Sequence, residues 1–178
     1  ATTNGLPGDS GNVRLRNRQG AVLLEVQYED KSPWPIAADG SGHSLVLSRP
    51  SYGENNHLGW SASDTIDGSP GRAEPVSADP MGSVVINEFL ANSDFPLEDY
   101  IELYNHSLTP VDLSGAWLSD TTSTNKYRIP NGTMIGATSY VHFVESQFLF
   151  GLSSSGERIL LVNSNQNRVI AAIDFENQ

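Results

Sequence analysis

The residues of this sequence that could do chemistry are mainly carboxylates, and several of them lie close together. Asp94, Glu98, Asp99 and Glu102 stand beside a turn-forming segment. Calcium takes about six to eight oxygen ligands, which a loop can supply from carboxylates and carbonyls. The spacing matches no EF-hand loop, and Pro96 interrupts it. A calcium site at Asp94, Glu98 and Asp99 is therefore the weaker hypothesis, and a solvated acidic turn is the stronger one.

A second group, Asn87, Glu88 and Glu102, could support acid–base chemistry. Paired carboxylates serve as acid and base when their environments separate their pKa values. Asn and Glu at a strand bend more often hold backbone groups, because buried backbone donors and acceptors must be paired. The sequence carries no Gly-x-Ser-x-Gly elbow, phosphate loop or nucleophile–histidine spacing. We therefore predict a structural role, no enzyme activity and no cofactor. A hydrolase that uses Glu88 and Glu102 is the least favoured alternative.

Metal chemistry based on histidine or cysteine is not indicated. The 4 histidines are far apart, and none has a partner at helical spacing. A zinc site needs convergent ligands with a recognisable spacing. The sequence contains no cysteine, so a thiolate site and a disulfide framework are both excluded.

Three tryptophans, Trp34, Trp60 and Trp117, raise the hypothesis of a carbohydrate-binding module. Aromatic rings can stack on sugar faces, and a sandwich fold can present such rings as a platform. A side chain as large as tryptophan is usually mostly buried, however. Packing in or beside a core is the favoured interpretation, and a glycan platform is the alternative.

The overall charge limits the classes of partner. The 178 residues include 10 basic and 21 acidic side chains, for a formal net charge of −11. Affinity for nucleic acid comes mainly from Lys and Arg that neutralise phosphates, and an anionic membrane surface is disfavoured for the same reason. No apolar run reaches the roughly 20 residues of a membrane span. Protein is therefore the expected partner.

Alternation with a period of two predicts an all-β fold of short strands. Phe89 lies out of phase with Val84 and Ile86, which predicts a bulge around residues 87–88. About one turn of helix is expected at residues 145–151. The residues expected to line the core are Ile101, Leu103, Val111, Trp117, Leu118 and Ile159.

One stretch of the sequence occurs twice. Residues 10–28 and 155–175 share one pattern, in which Val22 matches Val169. Internal similarity at a fixed period indicates copies of one structural unit. Both copies are predicted to form hairpins. Because one sandwich needs only one such hairpin, the spare copy is expected to be covered by other protein.

Several spaced motifs resemble the lamin tail domain family, which is known from nuclear lamins and from many secreted or surface bacterial proteins. In the second half they stand at residues 85–89, 99–105, 111–120 and 152–161, and in the first half at 33–35, 38–40, 42–45, 60 and 68–71. The resemblance implies an immunoglobulin-like β-sandwich of antiparallel, Greek-key sheets. It also implies that the following are structural motif residues: Asn87, Glu88, Glu102, Asn105, Trp117, Trp34 and Trp60.

The order of these motifs predicts how the chain is divided. The first half carries the closing motifs of the family, and the second half carries the opening ones. We therefore predict the closing half of one repeat at 1–76, a linker at 77–82, and the opening and middle part of the next repeat at 83–178. Each half is expected to be incomplete, with exposed sheet edges that favour association.

These patterns together predict a non-catalytic module for adhesion, scaffolding or targeting in an exported, multidomain bacterial protein. The expected location is extracellular or at the cell surface. The expected partners are neighbouring repeats or copies of the same chain, joined by strand pairing. Lysine in place of Ile170 and Ile173 is expected to weaken that pairing. The alternative is a carbohydrate-binding module that tethers a hydrolase to glycan.

Overall fold

The computed structural model describes residues 5–74 and 79–177. The chain divides into two compact units, residues 1–74 and 75–178. Both units consist of antiparallel strands joined by turns, so the predicted all-β class is confirmed. No helix among the described residues is long and apolar enough to cross a membrane.

The first unit contains two separate two-stranded sheets. Strand β1 (Ser10–Arg16) pairs with β2 (Val22–Glu29), and β3 (Leu45–Leu47) pairs with β4 (Trp60–Ala62). Short 3-10 turns cover Ile36–Ala38, Pro50–Tyr52 and His57–Gly59. Among residues 5–74, the buried large apolar side chains are those of Val26, Trp34 and Ile36.

The second unit contains a larger set of strands. In chain order they are β5 (Val84–Leu90), β6 (Tyr100–Asn105), β7 (Val111–Asp112), β8 (Trp117–Ser119), β9 (Tyr127–Arg128), β10 (Met134–Ile135), β11 (Tyr140–Val144), β12 (Glu157–Val162) and β13 (Val169–Phe175). They form a three-stranded sheet, β11–β6–β5, a four-stranded sheet, β13–β12–β8–β9, and the pair β10–β7. In the four-stranded sheet, β12 therefore lies between β13, which follows it in the chain, and β8, which is distant in sequence.

The core of the second unit follows the period of two. Ile101 and Leu103 in β6 are fully buried, and the expected burial of Val111, Leu118 and Ile159 is also confirmed. Trp117 is only partly buried, so its predicted place in the core is wrong. Successive side chains of a strand point to opposite faces, and because Leu118 takes the core face of β8, Trp117 cannot share it.

The bulge predicted in β5 is present. Pairing with β6 shifts register between Ile86 and Glu88. The extra residue returns Phe89 to the core side, where its ring centroid lies 4.5 Å from that of Phe175. Bulges re-aim the side chains that follow them, and this one joins β5 to the last strand of the facing sheet.

Two boundaries differ from the sequence-based expectation. A 3-10 turn at Pro80–Ser83 carries Met81, which packs into the core of the second unit. The described part of the expected linker, residues 79–82, therefore belongs to that unit. The expected helical turn is short, and α1 covers Glu145–Phe148 before Leu149 adopts a left-handed conformation with φ of 61°.

Candidate functional site

The acidic segment before β6 is an internal cross-link. Asp99 is buried, and its Oδ1 accepts hydrogen bonds from the backbone N of Ser93 at 2.8 Å and from the Ser93 hydroxyl at 2.9 Å. Its Oδ2 accepts from the backbone N of Leu152 at 2.8 Å. Burial raises the pKa of Asp99, but these hydrogen bonds outweigh it and leave the pKa below its ordinary value. The carboxylate thus joins residues that are far apart in the sequence.

The other members of that segment are also engaged by the protein. Glu98 Oε2 accepts from the hydroxyl of Ser146 at 2.7 Å, and the backbone carbonyl of Asp94 accepts from Leu97 N at 2.9 Å. No group of three or more His, Asp or Glu side chains that could hold a metal ion occurs within residues 5–74 and 79–177. The segment is therefore arranged to hold α1 and the chain around Leu152, and the calcium hypothesis gains no ligand set from it.

The structure does bring Asn87, Glu88 and Glu102 together, on the solvent side of the β5–β6 pair. Asn87 Nδ2 donates to Glu102 Oε1 at 2.7 Å, and the Tyr100 hydroxyl donates a short hydrogen bond to Glu88. That bond raises the pKa of Tyr100. Glu88 and Glu102 lie opposite each other in the strand register. Because these groups lie exposed on a sheet face, they can cross-link the strands and contact a partner.

Asn105, at the end of β6, is fully buried and holds a turn together. Its Nδ2 donates to the carbonyls of Thr109 at 2.7 Å and Gly136 at 2.9 Å. Its Oδ1 accepts from the backbone N of Ser107 at 3.0 Å and from the Ser83 hydroxyl at 3.2 Å. All of its hydrogen-bonding capacity is used within the unit, as a buried amide requires.

The rings of Trp34 and Trp60 do not form a flat platform. Trp34 is buried, and its ring is tilted by 45° from that of Trp60. Trp60 Nε1 donates to the carbonyl of Glu54 at 2.9 Å, and Trp117 is half-buried beside its strand neighbours. An aromatic pair that the sequence-based analysis missed is Tyr104 with Tyr140, whose rings stack at 4.5 Å on the outer sheet face. Their strand parity, opposite to the core residues, is the signal that could have found them.

A group of exposed apolar side chains lies on the hairpin of β1 and β2, residues 10–29, which we call the open hairpin. Leu15 is 57% exposed and Leu23 is 63% exposed. Val13, Val22 and Leu24 are also exposed. Among the residues that the structure describes, no strand pairs with the other edge of β1. Exposed strand edges are templates for pairing with other chains.

The hairpin of β12 and β13, residues 157–175, which we call the closed hairpin, has the same construction. The register of each hairpin shifts once, between Leu15 and Arg16 in one and between Leu161 and Val162 in the other. Each paired residue of β12 therefore stands 146 positions after its counterpart in β1. The predicted repeat is thus present as repeated backbone pairing, down to the position of the bulge.

The loops of the two hairpins are built on equivalent asparagines. Asn17 Oδ1 accepts from the backbone N of Gln19 at 3.0 Å and of Ala21 at 2.9 Å. Asn163 Oδ1 accepts from the backbone N of Asn167 at 3.1 Å and of Arg168 at 3.2 Å. Each asparagine side chain therefore accepts hydrogen bonds from two loop N–H groups that the hairpin pairing leaves without a partner.

The two hairpins differ in what covers them. Strand β12 pairs on its second edge with β8, and Leu161 stands opposite Leu118. Leu161 is fully buried, whereas its counterpart Leu15 is exposed. Of the two hairpins predicted from the sequence, the open hairpin is thus the one whose apolar side chains are exposed, and its role as a spare hairpin stays a prediction. Ile170 and Ile173 belong to the closed hairpin and pack against the core of the second unit, so lysine at these positions does not test pairing by the open hairpin.

A family model for the lamin tail domain matches residues 77–176, more than half of the chain. This chain belongs to the lamin tail domain family. The match coincides with the second unit and contains the closed hairpin, whereas the open hairpin lies outside it. No curated protein matches the sequence.

Lamin tail domains are immunoglobulin-like β-sandwich modules that are non-catalytic and mediate protein interactions. The predicted sandwich class is thereby confirmed. The division of the chain into the closing and opening parts of successive lamin tail repeats stays a prediction.

Proposed function

We propose that this lamin-tail chain is a scaffolding or adhesive module of an exported bacterial protein, located outside the cell or at its surface. It acts by binding protein through the open hairpin, and its partners are neighbouring repeats or further copies of the chain. The observation that carries the proposal is that the apolar edge of β1 is exposed, whereas the closed hairpin, which has the same construction, is covered. The export assignment is supported by the bacterial style of the motifs at residues 33–35 and 112–115.

The exposed surface gives association a driving force. Burial of apolar surface contributes about 25 cal/mol per Å², and pairing of β1 with an added strand would also satisfy its outward backbone groups. A hairpin of two strands is marginally stable in water by itself. Covering the side chains of Leu15 and Leu23 would therefore stabilise both the hairpin and the complex.

The charge of the chain narrows the partner class further. The formal net charge of −11 disfavours nucleic acid and anionic membrane surfaces. The carboxylates on the β5–β6 face are exposed and cross-linked to neighbouring side chains. A protein partner agrees with both facts.

Light scattering over a concentration series tests the proposal. The expected result is a mass that rises with concentration for the full chain and stays monomeric when Leu15 and Leu23 are both replaced by Lys. The matched control is Asn12→Lys, which adds a positive charge on the polar face of β1. A chain that is monomeric at every concentration would remove self-association from the proposal.

The absence of catalysis is tested separately with a panel of glycoside, ester and nuclease substrates. We expect no turnover by the full chain, because Glu88 and Glu102 lie exposed on a sheet face, where they hydrogen-bond to Tyr100 and Asn87. Turnover that is lost on Glu88→Gln would instead make the hydrolase hypothesis the leading one.

A further inference from the structure

We propose that the free edge of β1 binds one antiparallel strand of the β8 type, an apolar Trp-Leu-Ser strand, contributed by another lamin tail unit. This inference rests on the proposed function, because it names the partner that the open hairpin takes. The strand that performs this role for the closed hairpin is present in the same molecule. The structure therefore provides a template for the missing contact.

The template fixes the register of the added strand. In the second unit, Leu161 lies opposite Leu118 and Val162 lies opposite Trp117. Counterparts in the two hairpins are 146 positions apart. If the added strand pairs with β1 as β8 pairs with β12, its leucine lies opposite Leu15. Its tryptophan then lies opposite Arg16.

The edge that accepts the strand is β1 and not β2. The counterpart of β1 is β12, which lies inside its sheet between β8 and β13. The counterpart of β2 is β13, which lies at the edge of the same sheet. In addition, the outward side of β2 is already contacted, since Gln27 N donates to Asn55 Oδ1 at 2.9 Å. Among the described residues of the first unit, the position without a strand is therefore the one that β8 occupies in the second.

The side chains of the open hairpin suit such a strand. Val13 and Leu15 stand where Ile159 and Leu161 are fully buried, so the apolar face needed for packing is present. On the opposite face of β1, Arg16 replaces Val162 opposite the tryptophan position, and a guanidinium over an indole face is attractive. Arg14 lies on the same face as Arg16 and pairs with Glu25, with Nη2 2.8 Å from Oε1. The two faces of β1 are thus separated into an apolar face, with Val13 and Leu15, and a charged face.

Charge favours a partner that resembles the second unit. The tip and first strand of the open hairpin carry Arg14, Arg16 and Arg18, whereas residues 75–178 contain four basic and twelve acidic residues. The β8 strand is followed directly by Asp120. Opposite charges across an interface accelerate encounter and set orientation.

The occupant must be a β8 strand that its own hairpin has not taken. In the second unit of this chain, β8 already lies between β12 and β9. A folded copy of the second unit is therefore not the preferred donor. The opening part of a neighbouring lamin tail unit that lacks its closing hairpin has the required chemistry.

A synthetic peptide of residues 111–121, with blocked ends, provides the free strand for the test. It is titrated into the full chain at a concentration where light scattering shows a monomer. Binding is measured by calorimetry and located by backbone amide NMR shifts. The expected result is saturable binding with the largest shifts at residues 12–16, and about tenfold or greater weakening by Leu15→Lys, because an unpaired charge would be buried.

Two controls keep the test specific. Gln19→Lys adds the same charge in the exposed loop of the open hairpin, outside β1, and should leave peptide affinity unchanged. A peptide with Leu118→Asp should not bind. Shifts concentrated in β12, or affinity that is equal for the wild type and Leu15→Lys, would overturn the proposal because the peptide would then occupy another edge.

The two proposals fail in different ways. Self-association that is lost in the Leu15 and Leu23 double variant, without any peptide binding, would leave the proposed function standing and overturn the strand assignment. Peptide binding by a chain that is always monomeric would support the strand assignment and remove self-association.

Discussion

The open hairpin and the closed hairpin share a register, a bulge and an asparagine-based loop, yet only one of them is buried. Leu15 and Leu161 are the same residue at the same position of this motif, but Leu15 is exposed and Leu161 is fully buried. The local sequence therefore specifies the hairpin, while neighbouring strands specify its environment. For the closed hairpin that neighbour is β8. Within residues 5–74 and 79–177, the comparison shows that the outer edge of β1 has no paired strand.

The largest expected effect comes from truncating the two matched leucines. Leu161→Ala should lower the free energy of unfolding of the second unit by about 2–5 kcal/mol, through lost transfer energy and a cavity. Leu15→Ala should change the stability of the first unit by less than about 1 kcal/mol, because its side chain is largely in water. Hydrogen exchange with mass spectrometry can follow each unit. Equal costs for the two variants would mean that the open hairpin is covered in solution.

A smaller loss is expected at Asp99, whose carboxylate ties the chain before the closed hairpin to β6. Asp99→Ala should cost about 1–3 kcal/mol, because the backbone N–H groups of Ser93 and Leu152 lose their acceptor. Since folding lowers the pKa of Asp99, its contribution is complete above the unfolded value. It is lost as the pH falls through the folded value.

Acid unfolding of the second unit measures that contribution. Asp99→Asn should make its stability less dependent on pH below about 4, the ordinary range for an aspartate. The first unit, which lacks this carboxylate, serves as the internal reference in the same sample. An unchanged acid transition in the second unit would contradict the assigned role.

The two loop asparagines should have similar, moderate effects. Asn17→Ala and Asn163→Ala each remove an acceptor for two loop amides, and the comparable loss of a helix cap costs about 0.5–2 kcal/mol. Exchange of the amides in each loop reports the local opening. Protection that drops in one hairpin only would show that the loops are equivalent in geometry but not in stability.

The smallest effect concerns the ion pair on the solvent face of the open hairpin. The hydrogen bond from Arg14, with a second one from Asn12, lowers the pKa of Glu25 to about 2. The interaction is therefore present above the ordinary pKa of glutamate and is lost as the pH falls toward 2. Carboxyl NMR shifts should show this low midpoint, and Arg14→Ala should raise it. A normal midpoint in the wild type would indicate that the open hairpin is frayed without its partner.

The sequence predicted those features that depend on neighbouring residues. The alternation in β6 identified Ile101 and Leu103, and the phase of Phe89 identified the bulge. Trp117 was assigned to the core on residue type, although period two excludes it once Leu118 is placed there. The local pattern therefore predicted the strands correctly. The error at Trp117 arose because two adjacent residues of one strand cannot both face the core.

The local alternation of apolar and polar residues could not predict long-range contacts. The bond from Leu152 to Asp99 spans 53 positions, so no local signal identified this carboxylate as a cross-link. The sequence repeat predicted that one of two hairpins is spare. It did not predict which one, because the two copies are nearly equal in apolar character. Only the position of β8 in the second unit makes that distinction.

The bulge that both hairpins share has a consequence for the kinetics of recognition. A bulge pins the strand register, so the open hairpin does not slide between alternative alignments before it meets a partner. The loop amides at Asn17 are already paired as well. Only the incoming strand has to lose conformational entropy, and a preorganised surface of this kind lowers the cost of binding. A strand added as proposed would therefore meet an edge whose own pairing with β2 is already in register.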